Sequence, residues 1–190
     1  IVPPGINCIY VRQPKALGLG HAVLCSRPVI GNVPFAVVLP DDLISSDVSV
    51  VKQLLDAREA QGGGSVVAVQ DVALEDTKKY GIVSVDDAAC PVSRVRGIVE
   101  KPDPSVAPSR LAVIGRYVFE PEIFDYLARQ AVQQAGVGGE IQLTDAISAS
   151  LAQVPTYACR YQGHRYDCGS KQGYIDATVS FARKRGFKIN

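Results

Sequence analysis

The feature that most constrains the fold is an apolar run that ends in two carboxylates, from Phe35 to Asp42. Five apolar residues, Phe-Ala-Val-Val-Leu, are followed by Pro40 and by the adjacent acids Asp41 and Asp42. An uninterrupted apolar run of this length predicts a strand buried on both faces, which is typical of a parallel sheet covered by helices. Ligands of open α/β sheets bind just beyond the carboxyl ends of such strands, so Asp41 lies where a ligand or a metal would bind.

The same two acids also fit a structural role. Aspartate is favoured at helix N-caps, and Pro40 ends the strand directly before Asp41 and Asp42. The residues alone support a ligand-binding role and a capping role for this pair about equally.

Length, charge and cysteine content limit the class of protein. A chain of 190 residues fits a single domain, residues 1–190, that can bury a proper core. Its 20 basic and 19 acidic residues leave no basic surplus of the kind that nucleic-acid binding requires. No apolar run is long enough to cross a bilayer. Five scattered cysteines without a C-x-x-C pair favour a reducing compartment, and we expect a cytoplasmic protein.

Predicted strands and helices alternate along the first part of the chain. Strands are expected at 7–12, 35–39 and 65–70, and helices at 21–30 and 47–61. Alternation of this kind indicates βαβ units and a parallel sheet.

The pattern changes after residue 70. The expected elements are then a hairpin of strands at 80–85 and 92–101, a strand at 112–119, a helix from Pro121 that is closed by Gly136, a short helix that runs through Leu151, a strand at 156–161, a loop at 163–170 and a helix at 171–185. The predicted fold class is therefore α/β, with a mixed but mostly parallel central sheet.

Charged residues elsewhere in the chain have two interpretations each. Adjacent strand residues face opposite sides, so Glu100 and Lys101 cannot both face water if one side is buried, although such a pair on an edge strand is often solvated. Asp145 is expected as a helix N-cap more than as a ligand contact. Asp167, between a strand and a helix, repeats the arrangement at Asp41, and a second carboxylate at a loop is what a shared metal ion requires.

Several segments, in this order, resemble the bacterial UTP–glucose-1-phosphate uridylyltransferases (UDP-glucose pyrophosphorylases) of the sugar-1-phosphate nucleotidyltransferase superfamily. The matching segments are Gln13 with Gly18 to Ala22, Pro34 to Asp42, Tyr80 to Val83, Glu100 to Pro102, Gly115 to Phe119, Gly139 to Ala146 and Tyr166 to Lys171. The last two favour the uridylyltransferase branch over thymidylyl and adenylyl relatives. The resemblance implies a three-layer, Rossmann-like nucleotidyltransferase fold.

The resemblance implies roles for residues that carry charge. Asp41 and Asp167 resemble the two carboxylates that bind Mg²⁺, a hard ion that takes one or two carboxylates and completes its shell with water and phosphate oxygens. Glu100 resembles the residue that accepts hydrogen bonds from glucose hydroxyls. Lys101 resembles the lysine that contacts the phosphate of glucose 1-phosphate, and Lys101 and Asp41 are the expected catalytic residues.

The remaining implied roles concern substrate binding and the reaction. Gly81 and Val113 resemble backbone contacts to the sugar, and Gln13 and Gly18 resemble contacts to the uracil base. The implied reaction transfers a uridylyl group from UTP to glucose 1-phosphate, giving UDP-glucose and pyrophosphate, by in-line attack without a covalent intermediate. The expected partners are these two substrates, with neither nucleic acid nor membrane, in an assembly of identical subunits.

One part of the family pattern is not matched. The N-terminal strand and the Gly-rich loop with Arg and Lys, which grip the triphosphate in the family, have no counterpart here, and the chain contains no methionine. The 190 residues are therefore expected to be the C-terminal portion of a longer chain, N-terminally truncated, with little or no activity of their own and with reduced stability.

Two other functions fit the same residues. A thymidylyl- or adenylyltransferase of the same superfamily would use the same strands, and a panel of nucleotides would separate them. A non-catalytic sugar-nucleotide-binding domain is the alternative from another class, but such a domain has no need of two metal-binding carboxylates.

Overall fold

The computed structural model describes residues 4–133 and 139–188. In these ranges the helices and strands are α1 (Leu19–Cys25), α2 (Arg27–Ile30), β1 (Phe35–Val38), β2 (Asp42–Ser45), α3 (Val50–Ala60), β3 (Ser65–Asp71), a 3-10 helix (Leu74–Lys79), β4 (Gly81–Val85), β5 (Val92–Glu100), β6 (Leu111–Phe119), α4 (Ile123–Gln133), α5 (Leu143–Ser150), β7 (Thr156–Arg160), β8 (His164–Asp167) and α6 (Lys171–Lys184). The expected helix end at Gly136 lies outside the described residues.

The central sheet is mixed, as predicted, but neighbouring strands are mostly antiparallel. The described strands lie in the order β1-β6-β3-β7-β5-β4. β1, β3, β7 and β4 run in one direction, and β3 and β7 are the neighbours among them that pair in parallel. β6 and β5 run in the opposite direction: β6 lies between β1 and β3, and β5 lies between β7 and β4. The expectation of a mostly parallel sheet is therefore wrong for neighbouring strands. One reason is that β4 and β5 form a hairpin, which is antiparallel by construction. The other is that β6 lies between β1 and β3 and runs opposite to both.

Helices cover both faces of this sheet, which gives three layers. On one face α1, α4 and α5 pack through a cluster that includes Phe119, Phe124 and Leu127. On the other face α3 packs through Leu54 against Val66 and the strands beside it. Residues of β3 and β6 are buried on both faces, so these strands form the centre of the core.

β1 is not the doubly buried strand that its apolar sequence predicted. Its residues alternate between half-buried and exposed, with Phe35 stacked on Phe124 and Val38 51% exposed. Among the described strands it pairs only with β6, along one edge. The prediction of a strand at 35–39 is confirmed, but the neighbours of that strand, and so its burial, depend on contacts with distant segments.

Other predicted boundaries were shifted by local chemistry. Residues 7–12 form no strand in the structure, and the predicted helix at 21–30 is divided at Ser26 into α1 and α2. The helix expected from residue 47 begins at Val50, because the Ser49 side chain caps it by accepting a hydrogen bond from the Lys52 amide at 3.3 Å.

A separate two-stranded ribbon joins two distant parts of the chain. β2 and β8 pair antiparallel, with Asp42 opposite Asp167 and Ser45 opposite His164. Both strands of the ribbon differ from the prediction. No helix follows Asp42, so the acids at 41–42 do not form an N-cap, and residues 163–170, which were expected as a loop, contain β8. Each strand has four residues, too few for a clear alternation pattern, so the sequence carries little signal for either strand.

A candidate active site at one end of the sheet

A polar cleft of about 410 Å³ lies where the ribbon, the β4–β5 hairpin and the start of α5 meet. Its walls include the predicted residues Asp41, Gly81, Glu100, Lys101, Val113 and Asp167. They also include Leu19, Leu39, Asp42, Lys79, Tyr80, Gly115, Tyr117, Glu140, Gln142, Leu143, Thr144 and Arg165. The structure therefore brings six of the eight predicted site residues to one cavity, from segments spread over most of the chain.

The carboxylates of Asp41 and Asp167 share one wall of the cleft because of the ribbon. The Asp41 carbonyl accepts a hydrogen bond from the Cys168 amide at 2.7 Å, which continues the pairing of β2 with β8. A Cβ atom at Gly169 would lie 3.1 Å from Asp167 Oδ1 and 3.6 Å from Asp41 Oδ2. The two oxygens are thus no farther apart than the sum of these distances, and glycine leaves the space between them open.

Asp42 belongs to the scaffold of the site. The residue is 7% exposed, and its Oδ2 accepts a hydrogen bond from the Gly115 amide at 2.8 Å. Its Oδ1 is paired with the Arg165 guanidinium, whose side chain is 10% exposed, and its carbonyl accepts from Arg116. A Cβ at Gly115 would lie 2.6 Å from Asp42 Oδ2, so the close approach requires glycine. The adjacent acids therefore divide the two roles: Asp41 is exposed in the cleft, and Asp42 is buried in its wall, where it holds the backbone of β6.

Glu100 and Lys101 reach the same cleft, which differs from the expectation for adjacent strand residues. β5 ends at Glu100, and Lys101 has φ +46°, a left-handed conformation that is rare for a residue with a side chain. The Lys101 amide donates to the Tyr80 carbonyl at 3.0 Å, which holds the turn. The Lys101 Nζ lies 3.5 Å from Glu100 Oε1, with the lysine side chain 59% exposed. The change of backbone direction places an amine and a carboxylate together at the mouth.

Gly81 and Val113, the residues predicted to contact the sugar, both line the cleft. Val113 is 7% exposed in β6, and Gly81 begins β4. A Cβ at Gly81 would approach Thr144 Cγ2 to 2.7 Å and Glu100 Oε2 to 3.4 Å, so glycine keeps this part of the cleft open. The Thr144 hydroxyl is buried and has no hydrogen-bond partner among the described residues. A buried hydroxyl without a partner is costly, so it marks a place where a polar ligand group would be bound.

Gln13 and Gly18 lie beside the cleft and are not among its lining residues. Gly18 has φ +88°, and a Cβ there would lie 3.1 Å from the Cβ of Glu140, which lines the cleft. The Gln13 amide nitrogen donates to the Gly18 carbonyl at 3.0 Å. These two residues thus form a corner, joined to the cleft through Leu19 and Glu140.

Sequence reasoning assigned no role to several of the lining residues. Lys79 and Tyr80 directly precede Gly81, and Thr144 lies inside the segment 139–146 that carries the family resemblance. Their closeness in sequence to these residues could have indicated that they belong to the site. Arg165 had no such signal, because its contacts to Asp42 and Asp167 depend on the ribbon. Asp145 does not line the cleft; it is exposed in the first turn of α5, and the N-cap position is Gln142.

Tyr117, which lines the cleft, carries a neutral hydroxyl. Burial raises the pKa of Tyr117, and the nearby carboxylates of Asp42 and Glu100 raise it further. Its hydroxyl therefore stays protonated at any physiological pH and can act as a hydrogen-bond donor.

The residues on the carboxylate wall fit a magnesium ion. Asp41 is exposed and the Asp167 side chain is 44% exposed, so both can present oxygens to an ion in the space above Gly169. Among residues 4–133 and 139–188, no group of three or more His, Cys, Asp or Glu side chains forms a metal site. Two carboxylates suffice for Mg²⁺, which takes its other ligands from water and phosphate. The assignment of the metal to Asp41 and Asp167 stays a prediction.

Comparison with known proteins identifies the class to which this fold and cleft belong. A sequence profile of the family described as Nucleotidyl transferase matches residues 4–184. The chain belongs to this family.

The most informative relatives carry one activity in their names. A UTP–glucose-1-phosphate uridylyltransferase from Staphylococcus epidermidis is 48% identical over 180 residues, which are 94% of this chain and 60% of that protein. One from Staphylococcus saprophyticus is 46% identical over 178 residues, with 94% and 61% covered. The chain thus spans about 60% of the length of the curated relatives it matches.

Solved structures of similar proteins have the same fold. An apo UDP-glucose pyrophosphorylase superposes with a TM-score of 0.86 at 42% identity, covering 93% of this chain and 64% of that one. A UDP-glucose pyrophosphorylase complexed with UDP-glucose gives 0.85 at 43% identity, covering 93% and 66%. The three-layer α/β architecture is therefore that of the nucleotidyltransferase fold, as the sequence predicted.

In the described part of the chain no helix combines the length and the apolar character that crossing a membrane would require. The thiols of all five cysteines are free.

Proposed function

We propose that this chain carries the sugar-binding and metal-binding part of an enzyme that transfers a uridylyl group from UTP to glucose 1-phosphate, giving UDP-glucose and pyrophosphate. The observation that carries the proposal is the cleft that brings Asp41, Asp167, Glu100 and Lys101 together. Relatives that are 46% and 48% identical bear the name of this activity.

Glucose 1-phosphate fits the hairpin side of the cleft. The Glu100 carboxylate accepts hydrogen bonds from sugar hydroxyls, and the Thr144 hydroxyl supplies a partner that is unused in the structure. Lys101, at the mouth, pairs with the phosphate as a compact point charge. The walls at Gly81 and Val113 fix the depth to which the ring enters.

UTP fits the other side of the cleft, with its base at the corner of Gln13 and Gly18. Asp41 and Asp167 would hold Mg²⁺, which when bound neutralises charge on the phosphate oxygens. Arg165, whose NH2 lies 3.6 Å from Asp167 Oδ2, keeps that carboxylate aimed at the cleft.

The reaction is an in-line displacement in which the chain positions groups and balances their charge. A phosphate oxygen of glucose 1-phosphate attacks the α-phosphorus of UTP, the new P–O bond forms, and the bond to the departing pyrophosphate breaks. Lys101 holds the attacking phosphate and offsets its charge as it approaches the triphosphate. No side chain of the cleft needs to act as a nucleophile.

A thymidylyl- or adenylyltransferase would differ from the proposed uridylyltransferase only in the nucleotide that it uses. The same cleft would hold glucose 1-phosphate in all three cases, so only the base corner separates them. We place the protein in the cytoplasm, where its thiols stay reduced, and expect an assembly of identical subunits.

The test is pyrophosphate release by the full-length protein with glucose 1-phosphate and each of UTP, dTTP and ATP. We expect the highest kcat/KM with UTP. We expect no pyrophosphate release when galactose 1-phosphate replaces glucose 1-phosphate, or when Mg²⁺ is left out of the buffer. A preference for ATP or dTTP would replace the uridylyl assignment. UDP-glucose binding without any turnover would instead favour the non-catalytic alternative.

A further inference from the structure

The amide of Gln13 is held by two hydrogen bonds that use both of its protons. Its nitrogen lies 3.0 Å from the Gly18 carbonyl and 3.0 Å from His21 Nδ1. Among the described residues none donates a hydrogen bond to its oxygen Oε1. Since an amide nitrogen carries two protons, Oε1 is the one part of this side chain that is available to a ligand.

The Gly18 carbonyl determines which way the amide points. It is a pure acceptor, so the Gln13 atom facing it must be the nitrogen. The loop that carries it is fixed on both sides, since the Leu17 carbonyl accepts from the Ile141 amide at 2.8 Å and the Gly20 amide donates to the Ile141 carbonyl at 2.9 Å. One proton of the Gln13 amide is therefore held by a rigid part of the backbone.

His21 must then be an acceptor at Nδ1. The atom it faces is an amide nitrogen that carries only protons, so Nδ1 holds none and the ring proton is on Nε2. The Cys25 sulfur, one helical turn on, lies 3.8 Å from Nε2 and 4.0 Å from Nδ1, so it packs beside the ring without selecting either nitrogen. The tautomer of His21 is thus set by the Gln13 amide.

We propose that His21 is a positioning residue that sets the base preference of the site, by holding the Gln13 amide so that Oε1 is presented to the nucleotide base. This inference rests on the proposed function, because it takes UTP as the substrate and Gln13 as the base contact. A fixed carbonyl oxygen attracts the N3–H of uracil. Cytosine has an acceptor at the same ring position, so the same oxygen repels it.

Removing the ring frees the amide. Without His21 the second amide proton has no partner, and the side chain can turn to present either its nitrogen or its oxygen. The contact to uracil is weakened and the penalty against cytosine is lost. The binding site for glucose 1-phosphate, on the opposite side of the cleft, does not depend on this corner.

The experiment measures kcat and KM of the full-length protein for UTP, CTP and glucose 1-phosphate in five variants. These are His21→Phe, His21→Ala, His21→Asn, Gln13→Leu and the double variant His21→Phe with Gln13→Leu. For His21→Phe and His21→Ala we expect KM for UTP to rise about tenfold and the UTP-to-CTP ratio of kcat/KM to fall by about the same factor, the size of one lost hydrogen bond. KM for glucose 1-phosphate should stay at the wild-type value.

Two controls separate positioning from a structural role. His21→Asn keeps an acceptor near the position of Nδ1 and should restore most of the UTP preference. In the Gln13→Leu background, His21→Phe should add nothing, because the two residues act as one unit. Thermal melts will show whether the larger ring in His21→Phe disturbs folding. If it does, His21→Ala, measured beside it, carries the test.

Two results would overturn the inference. One is an equal loss for UTP and glucose 1-phosphate in the His21 variants, and the other is a full effect of His21→Phe when Gln13 is already leucine. A wild-type protein that does not use UTP would overturn the proposed function, and with it the role of His21 in selecting uracil; the two results above would overturn the inference alone.

Discussion

The ribbon of β2 and β8 and the hairpin of β4 and β5 both supply residues to the cleft, but they are stabilised in different ways. The hairpin belongs to the six-stranded sheet, and its strands are anchored by backbone hydrogen bonds to each other and to β6 and β7. The ribbon has four-residue strands and forms its own two-stranded sheet. It is fastened to the rest of the molecule through side chains, since Asp42 accepts a hydrogen bond from the Gly115 amide and Arg165 donates one to the Tyr80 hydroxyl.

The difference shows in how each region aims its side chains. In the hairpin one backbone irregularity, the positive φ at Lys101, turns the amine toward the cleft, while the sheet supplies the rigidity. In the ribbon, the buried ion pair of Asp42 and Arg165 joins the two strands, and Arg165 also lies 3.6 Å from Asp167. Asp41 is held beside Asp167 by the hydrogen bond that its carbonyl accepts from the Cys168 amide. Substitutions in the ribbon should therefore affect stability and activity separately, residue by residue. In the hairpin, loss of the cleft-facing side chains of Glu100 and Lys101 should leave the fold intact.

The largest expected effect is on the carboxylates of the ribbon. Asp41→Asn and Asp167→Asn should each lower kcat of the full-length protein by about 10³-fold or more, because charge neutralisation at the phosphates is lost. Thermal melts should show an intact fold, since Asp41 is exposed and Asp167 is partly so.

The matched control for these variants is Asp47→Asn, an exposed aspartate outside the cleft lining. It should leave turnover unchanged. Wild-type rates in either cleft variant would remove that carboxylate from the proposed metal site.

Next in size is the effect of the hairpin lysine. Lys101→Met keeps the aliphatic stem and removes the charge, and kcat should fall by about 10²- to 10³-fold because a charge-assisted contact to phosphate is lost. Lys78→Met, at an exposed lysine that does not line the cleft, is the control. Steady-state assays with near-normal turnover in Lys101→Met would show that the amine has no part in the reaction.

A smaller but separable effect concerns the ribbon's buried ion pair. Asp42→Asn preserves shape but removes the nearest partner of the buried Arg165 guanidinium, which then keeps only Asp167 at 3.6 Å. The free energy of unfolding should fall by about 3 kcal/mol, the lower end for breaking a buried pair. Asp56→Asn removes one partner of an exposed pair with Lys52 and should cost less than about 1 kcal/mol.

Urea denaturation of the full-length protein measures both losses. If Asp42→Asn and Asp56→Asn proved equally mild, the buried pair would not be what holds the two strands of the ribbon together.

Elements with a strong local signal were predicted close to their observed bounds. Continuous β-branched sequence identified β3 and β6, and the start of α6 at Lys171 agrees with the expected helix. These elements form from their own residues, because buried strands need apolar runs and helices need a repeating apolar face.

The candidate site was predictable where a residue type and its place at the end of an element coincide. Asp41 and Asp167 were found in this way, and so were Glu100 and Lys101. The contacts that fasten them were not predictable, because Gly115, Arg116 and Arg165 contact Asp42 across more than seventy positions of sequence.

The sequence by itself determined the α/β class, most of the strands and helices, and the acids and the lysine that face the cleft. Only the tertiary structure decided that β1 lies at an edge, that Asp42 is buried while Asp41 is presented, and that Glu100 and Lys101 reach the same cavity. The physical reason is that apolar periodicity and end-capping are local properties of the chain. Strand neighbours, ion-pair partners and a left-handed turn are fixed by which distant segments pack together.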